Sequence, residues 1–253
     1  MRKNKDLKKV YDDVFKNGEN NFWSFEPIEI HQQVLSPKIY KDKKVLDIGC
    51  GSGDVCIGIS KLGAKSVLGI DYSDEAIKLA NQKNDRDNVE FRVEDYKNIN
   101  DTYDVITLVG VLEHIENPFE AVSKIYDLLN DGGKMVIESP THQNIRGYVW
   151  MTLQLLFNVP MSLTDINFFS PFDFQEYADR LNMNLEWHTF DFSRGNGERM
   201  IIDLEKRLTN ALRDAKLDNI NVPKLIDWLK RSIQYDNVKR HSGSEGLYIL
   251  TKW

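Results

Sequence analysis

An α/β fold with a doubly wound parallel sheet follows from two features of the sequence. From Lys44 onward, short apolar runs of strand length alternate with segments of helical period. Helix signals punctuate the alternation, with Gly63 placed to stop one helix and Ser73 to cap the next. Strands separated by helices need crossover connections, and these cover both faces of a parallel sheet. At 253 residues, 41% hydrophobic, with 15 Gly and 7 Pro, the chain has apolar material for such a core and lacks the bias of a disordered or fibrous protein.

The elements follow in order. Leu7, Val10, Tyr11, Val14 and Phe15 recur at helical spacing and predict an amphipathic helix ending near Asn17-Gly18. Pro27 opens a second helix carrying Ile28, Ile30, Val34 and Leu35. Then come a strand over 44–48, a helix over 54–62, a strand over 66–71 and a helix over 74–84. Strands over 89–93, 103–109 and 134–139 follow, with a helix over 119–129 ahead of the turn Asn130-Asp131-Gly132-Gly133. Beyond Pro140, residues 148–163 read as a lid or buried helix, too short and polar to span a bilayer. Residues 172–181 read as helix, and 184–190 and 244–253 as strands. Between those strands, an insertion over 193–242 carries two helical patterns, Ile201, Leu204, Leu208, Ala211 and Val222, Ile226, Leu229, Ile233.

The segment Asp47-Ile48-Gly49-Cys50-Gly51-Ser52-Gly53-Asp54 ends the first core strand and opens a helix. Glycines at alternate positions there permit a tight turn and close backbone approach to a ligand. A dinucleotide fingerprint would put its third glycine where Asp54 stands, and Asp47 and Asp54 would repel a pyrophosphate. A cationic sulfonium ligand with an ammonium group meets no such repulsion, and Asp47 can accept from the ammonium directly or through water. The turn therefore suits S-adenosylmethionine better than a nicotinamide dinucleotide. Asp71, ending the second strand, is placed for both hydroxyls of a ribose, since Ser73 already serves as cap. Glu94-Asp95-Tyr96 ends the third strand, where Asp95 can accept from an adenine amino group and Tyr96 can border the ring.

These segments, with Gly69-Ile70-Asp71, Tyr103-Asp104-Val105-Ile106 and Leu129-Asn130-Asp131-Gly132-Gly133, resemble in order and spacing the motifs of class I S-adenosylmethionine-dependent methyltransferases. The resemblance covers residues 44–141 most specifically. It implies a Rossmann-like seven-stranded sheet with the last strand antiparallel, N-terminal helices, and a helical insertion before the final strand. It also implies S-adenosyl-L-methionine as cofactor, held by Asp47, Gly49, Cys50, Gly51, Gly53, Asp71, Tyr72, Glu94, Asp95, Tyr96, Val109 and Gly110. The expected organisation is one domain over 1–253: a helical cap (1–40), a cofactor-binding core (43–141), an acceptor-side lid (142–183) and the insertion (193–242).

Glu113-His114 after the fourth strand looks like the Glu-His step of small-molecule and quinone-type O-methyltransferases. His114 is the candidate base, because a neutral imidazole can take a hydroxyl proton as the methyl moves; a structural histidine is the alternative. The acceptor pocket is expected to draw on Tyr11, Phe22, Trp23, Glu113, Arg146, Phe168 and Arg240. The insertion holds 11 Lys+Arg against 7 Asp+Glu. A solvated face explains that excess; if part of it lines the mouth, Arg146, Arg194, Arg199, Lys239, Arg240 and His241 suit an anionic acceptor such as a sugar- or nucleotide-linked group. Related enzymes often carry a histidine before an Asn-Phe-Phe-Ser-like segment, whereas here Thr164-Asp165-Ile166 precedes Asn167-Phe168-Phe169-Ser170.

The expected reaction is methyl transfer to oxygen of a small-molecule acceptor. A lipid or quinone acceptor, a non-catalytic binder of the cofactor, and a nucleotide-dependent oxidoreductase are the rivals. The net charge of −6 counts against a nucleic-acid partner. Cys50 and Cys56 have no metal-ligand spacing around them, so no metal is expected, and with no apolar leader or 18-residue uncharged run the expected location is the cytoplasm. Apolar faces on the late helices would fit a homodimer.

Overall fold

The structure is a computed structural model that describes residues 4–17, 28–159, 162, 164–233 and 241–253. Helices α1 (Asn4–Asn17) and α2 (Ile28–Leu35) precede the core. The core runs β1 (Lys44–Ile48), α3 (Asp54–Lys61), β2 (Ser66–Asp71), α4 (Asp74–Lys83), β3 (Val89–Val93), β4 (Tyr103–Val109), α5 (Pro118–Asp127) and β5 (Leu129–Pro140). Then come α6 (Ile145–Phe157), α7 (Pro171–Leu181), β6 (Met183–Phe190), α8 (Phe192–Asn196), α9 (Glu198–Asp214), α10 (Val222–Ser232) and β7 (Glu245–Lys252). The seven strands form one sheet in the order β3-β2-β1-β4-β5-β7-β6. Strands β1 to β5 are parallel, and β7 runs antiparallel to both β5 and β6.

Because side chains alternate across a strand, each core strand feeds two apolar layers. Leu46 and Ile48 of β1 join the layer of α5 and α7, with Ile125 and Phe174, while Val45 joins that of α2 and α3, with Val34 and Ile59. The order reverses direction beside β1, and its carboxyl end is where open α/β sheets place ligands. A third cluster lies apart, where Trp150 of α6 packs with Met200, Leu204 and Leu208 of α9 and Ile226 and Leu229 of α10.

Three expectations change. Strand β5 begins at Leu129, so the residues read as the turn 130–133 lie within it, with an irregular register against β4 and Gly132 at a φ of 72°. Helix α5 ends at Asp127. Of the apolar stretch over 148–163, residues 148–157 belong to α6, which ends at Phe157, where Asn158 takes a left-handed conformation, and residues 160, 161 and 163 lie outside the described residues.

Candidate functional site

A cavity of about 540 Å³ opens at the carboxyl end of β1, β2 and β4. The turn after β1 forms its floor, and all three of its glycines have positive φ, a region that side chains with a Cβ avoid. Gly49 and Gly51 line the cavity, and a Cβ on Gly49 would collide with Val111. Gly53 is a correction to the expected contact set: it lies off the cavity, where an added Cβ would come within 2.5 Å of Phe91 Cζ, so close packing on β3 explains it.

Asp47 is buried, with Thr107 Oγ1 donating to its Oδ1 at 2.5 Å and Cys56 Sγ donating to Oδ2 at 3.1 Å. Burial pushes its pKa up to about 6, and the two hydrogen bonds oppose the shift. The group expected to meet an ammonium is therefore held firmly from behind. Asp71 accepts from Gly51 N at 3.1 Å and Ser73 N at 2.8 Å. Those bonds fix the carboxylate at the cavity wall and leave lone pairs for a ligand. Ser73 also caps α4 through Ala76 N, so the cap does not draw on Asp71. Asp95 lines the cavity but also accepts from Lys97 N, while Glu94 accepts from Asp95 N and Asn98 Nδ2. Cys50, Tyr72, Tyr96, Val109 and Gly110 complete this wall.

Helix α1 closes one side, with Lys8, Tyr11 and Phe15 in the lining. Lys8 pairs with Asp74 at 3.0 Å and Asp12 accepts from Ser73 Oγ at 2.5 Å, tying α1 to the start of α4. Tyr11 Oη lies 2.9 Å from His114 Nε2. On the other side of that ring, Nδ1 lies 3.3 Å from the Thr164 carbonyl, which can only accept. Nδ1 therefore carries the hydrogen, Nε2 offers the lone pair, and the Tyr11 hydroxyl donates to it. Asp165 Oδ1 stands 3.5 Å from Nδ1. Burial pushes the His114 pKa below the ordinary histidine value, with Asp165 pulling the other way, so the ring is neutral near pH 7.

Other acceptor-side expectations fall away from the cavity. Glu113 is buried behind His114, where Ser139 Oγ donates to its carboxyl, its backbone carbonyl accepts from Ile166 N and Asn167 N, and burial pushes its pKa up to about 8. Arg146 is buried against Asp203 of α9 at 2.8 Å, and Phe168 stacks edge-on against His142. Arg194 pairs with Glu245 at 2.6 Å, Arg199 pairs with Asp191, and the ring of His241 packs on Trp187. Arg194 and Arg199 of the insertion are thus engaged in ion pairs within the fold. Phe22, Trp23, Lys239 and Arg240 lie outside the described residues.

Sequence reading missed Lys8, Phe15 and Glu138 in the lining. Glu138 had a signal, since it interrupts the apolar run Met135-Val136-Ile137 of a buried strand. Among the described residues no group of three or more His, Cys, Asp or Glu could hold a metal ion, and no helix is long and apolar enough to cross a membrane.

Residues 26–187 match a methyltransferase-domain family. The chain is 32% identical over 153 residues to a ubiquinone biosynthesis O-methyltransferase of Shewanella halifaxensis, covering 56% of this chain and 63% of that protein. Identity to the enzyme of the same name from Aliivibrio fischeri is 32% over 136 residues, covering 50% and 57%. The match thus spans about three fifths of those relatives' length. Among solved structures, magnesium protoporphyrin IX methyltransferase from Synechocystis, with S-adenosylhomocysteine bound, superposes with a TM-score of 0.63 at 13% identity, covering 99% of this chain and all of that one. A putative methyltransferase from Haloferax volcanii, in complex with its Trm112 activator, gives 0.63 at 15% identity, covering 95% and 96%. The sheet order, the glycine turn and the family match lead to one assignment: the chain belongs to the class I S-adenosylmethionine-dependent methyltransferases.

Proposed function

We propose that this protein transfers a methyl group from S-adenosylmethionine to a hydroxyl of an uncharged small molecule, a hydroxylated aromatic of the quinone-precursor kind. The observation that carries the reading is the cavity itself. Its wall carries the Asp71 carboxylate, fixed by two backbone amides, and a neutral histidine with its Nε2 lone pair directed at a hydroxyl. Asp71 is suited to a ribose diol, Asp95 with Tyr96 to the adenine, and Asp47 with the glycine turn to the ammonium end.

When bound, the cofactor supplies a methyl on positively charged sulfur, already activated for displacement. The protein's part is alignment and proton removal. His114 Nε2 takes the hydroxyl proton once the acceptor stands where the Tyr11 hydroxyl now donates, and Asp165 favours the imidazolium that forms. The lining holds eight carboxyl side chains and two lysines, Lys8 and Lys97. Lys8 is already paired with Asp12 and Asp74. Such a wall favours an uncharged acceptor over the sugar- or nucleotide-linked anion expected from the basic insertion. The names of the sequence relatives point the same way.

A second reading places the acceptor in a membrane. Leu155, Leu156 and Phe157 at the end of α6 are 72%, 69% and 52% exposed, a local apolar surface. Flotation with phosphatidylglycerol liposomes tests it: co-flotation lost in Leu155→Ser/Leu156→Ser supports a membrane-borne acceptor, and a protein that stays at the bottom rejects it.

The primary test is calorimetric titration with S-adenosylmethionine and S-adenosylhomocysteine, then a labelled-methyl screen of phenols, quinols and phosphorylated sugars. Saturable binding with label on a phenol or quinol is expected. Label on a phosphorylated sugar would replace the acceptor class, and binding without product from any acceptor would favour a non-catalytic role.

A further inference from the structure

Glu138 stands out among the cavity residues because nothing so far gives it a task. It lies on β5 opposite Val109, where β4 ends, and opposite Leu247 of β7. It shares a sheet face with Val136 and Leu247, which belong to the apolar layer of α2 and α3. A carboxyl in such a layer is costly unless it has partners. The residue is 1% exposed and lines the cavity, yet among the described residues its Oε1 has no hydrogen-bond donor.

Its side-chain hydrogen-bond partner is another acid. Two residues from Leu247 along β7, Glu245 lies on the same face, and its carboxyl is within hydrogen-bond reach of Glu138. Glu245 is also held by Arg194 Nη1 at 2.6 Å, and Ser244 Oγ lies 3.4 Å from the same oxygen. Arg194 belongs to α8, where its amide donates to Asp191 Oδ1. Burial raises both acids, and the guanidinium makes Glu245 the carboxylate of the pair, so Glu138 keeps the proton. Its hydroxyl then donates to Glu245, and its carbonyl oxygen is left to accept.

We propose that Glu138 is the specificity residue for the methyl acceptor: its carboxyl accepts a hydrogen bond from an O–H or N–H group of an uncharged acceptor, with Glu245 and Arg194 holding it in position. Sheet order places it on the acceptor side, since β4 separates β5 from the glycine turn and Asp71. An acceptor without a donor leaves the Glu138 oxygen unmet, which is how a buried polar group discriminates. The inference rests on the proposed transfer to an uncharged hydroxylated aromatic.

The test uses the full chain saturated with S-adenosylhomocysteine and two probes of the same ring, catechol and its dimethyl ether veratrole, with binding followed by ligand-observed NMR. The wild type is expected to bind catechol about tenfold more tightly than veratrole. Glu138→Gln is expected to retain catechol binding, because the amide can donate to Glu245 and accept from the ligand. Glu138→Leu is expected to lose about tenfold for catechol while binding S-adenosylhomocysteine within about twofold of wild type. Equal binding of the two probes to the wild type overturns the proposal without any substitution. Undiminished catechol binding by Glu138→Leu also overturns it, as does a parallel loss of S-adenosylhomocysteine affinity, which would move Glu138 to the cofactor. A wild type that binds neither probe overturns the aromatic reading itself, and this role with it.

Discussion

The two halves of the sheet use carboxylates in opposite ways. At the ends of β2 and β3 they lie beside glycines and backbone amides: Asp71 accepts from two amides, and Asp95 and Glu94 organise the short turn after β3, while buried Asp47 of β1, held by the Thr107 and Cys56 side chains, is the exception on that side. Around β4, β5 and β7 they are sunk among apolar layers and meet side chains: Glu113 with Ser139, Glu138 with Glu245, and Glu245 with Arg194. Backbone amides hold an anion with little dependence on neighbouring sequence, so the first half serves a ligand common to a large family. Side-chain networks change with each substitution, and the second half is where the acceptor role proposed for Glu138 lies.

The largest expected effect is on stability in the second half. Arg146→Ala breaks a buried ion pair with Asp203 and is expected to cost about 3 kcal/mol in denaturant unfolding, with S-adenosylhomocysteine affinity of the folded protein unchanged. A lost affinity with intact stability would return Arg146 to the site. In the first half, Asp71→Ala is expected to weaken S-adenosylhomocysteine binding about 100-fold by calorimetry with circular dichroism unchanged. Unchanged affinity would remove the ribose role. His114→Ala is expected to lower turnover about 100-fold while cofactor affinity holds, and an unaffected rate makes the residue structural.

Glu113 gives the comparison a pH axis. Its pKa rises from the ordinary 4.5 to about 8 on folding, so the folded chain holds a proton that the unfolded chain releases. That contribution is present at acid pH and is lost as pH rises from about 4.5 through about 8, with a slope of at most about 1.4 kcal/mol per pH unit. Glu113→Gln is expected to flatten urea-unfolding stability across that window, and an unchanged slope would assign it to other groups. The smallest effect expected is on Tyr11→Phe, which removes the hydroxyl at His114 and should speed S-adenosylhomocysteine release no more than about fivefold in stopped flow. A far larger change would make that contact the main latch of α1.

Legibility in the sequence divides along the same line. The glycine turn, the strand-end acids and the Ser73 cap are local features whose meaning depends on a few neighbouring residues; Gly49, Gly51, Asp71 and Asp95 line one cavity, and Ser73 caps α4 beside it. Arg146, Arg194 and Phe168 look like pocket residues by type, but their partners, Asp203, Glu245 and His142, lie 26 or more residues away and come from other elements. Glu138 was missed for a related reason. An acid in an apolar strand is visible, but the register with β7 that supplies Glu245 is not.

That register has a consequence for how the protein is made. Strand β7 is synthesised after every other strand, yet it lies inside the sheet, between β5 and β6. Until it emerges, β6 has no strand to pair with and β5 presents an open edge from Lys134 to Pro140. The nascent chain can therefore assemble the half holding Asp71 and Asp95 on the ribosome, while the half holding Glu138 waits for the ladder that β7 completes. Shortening β7 should leave a chain that has folded around one half of its cavity and exposes a sticky edge at the other.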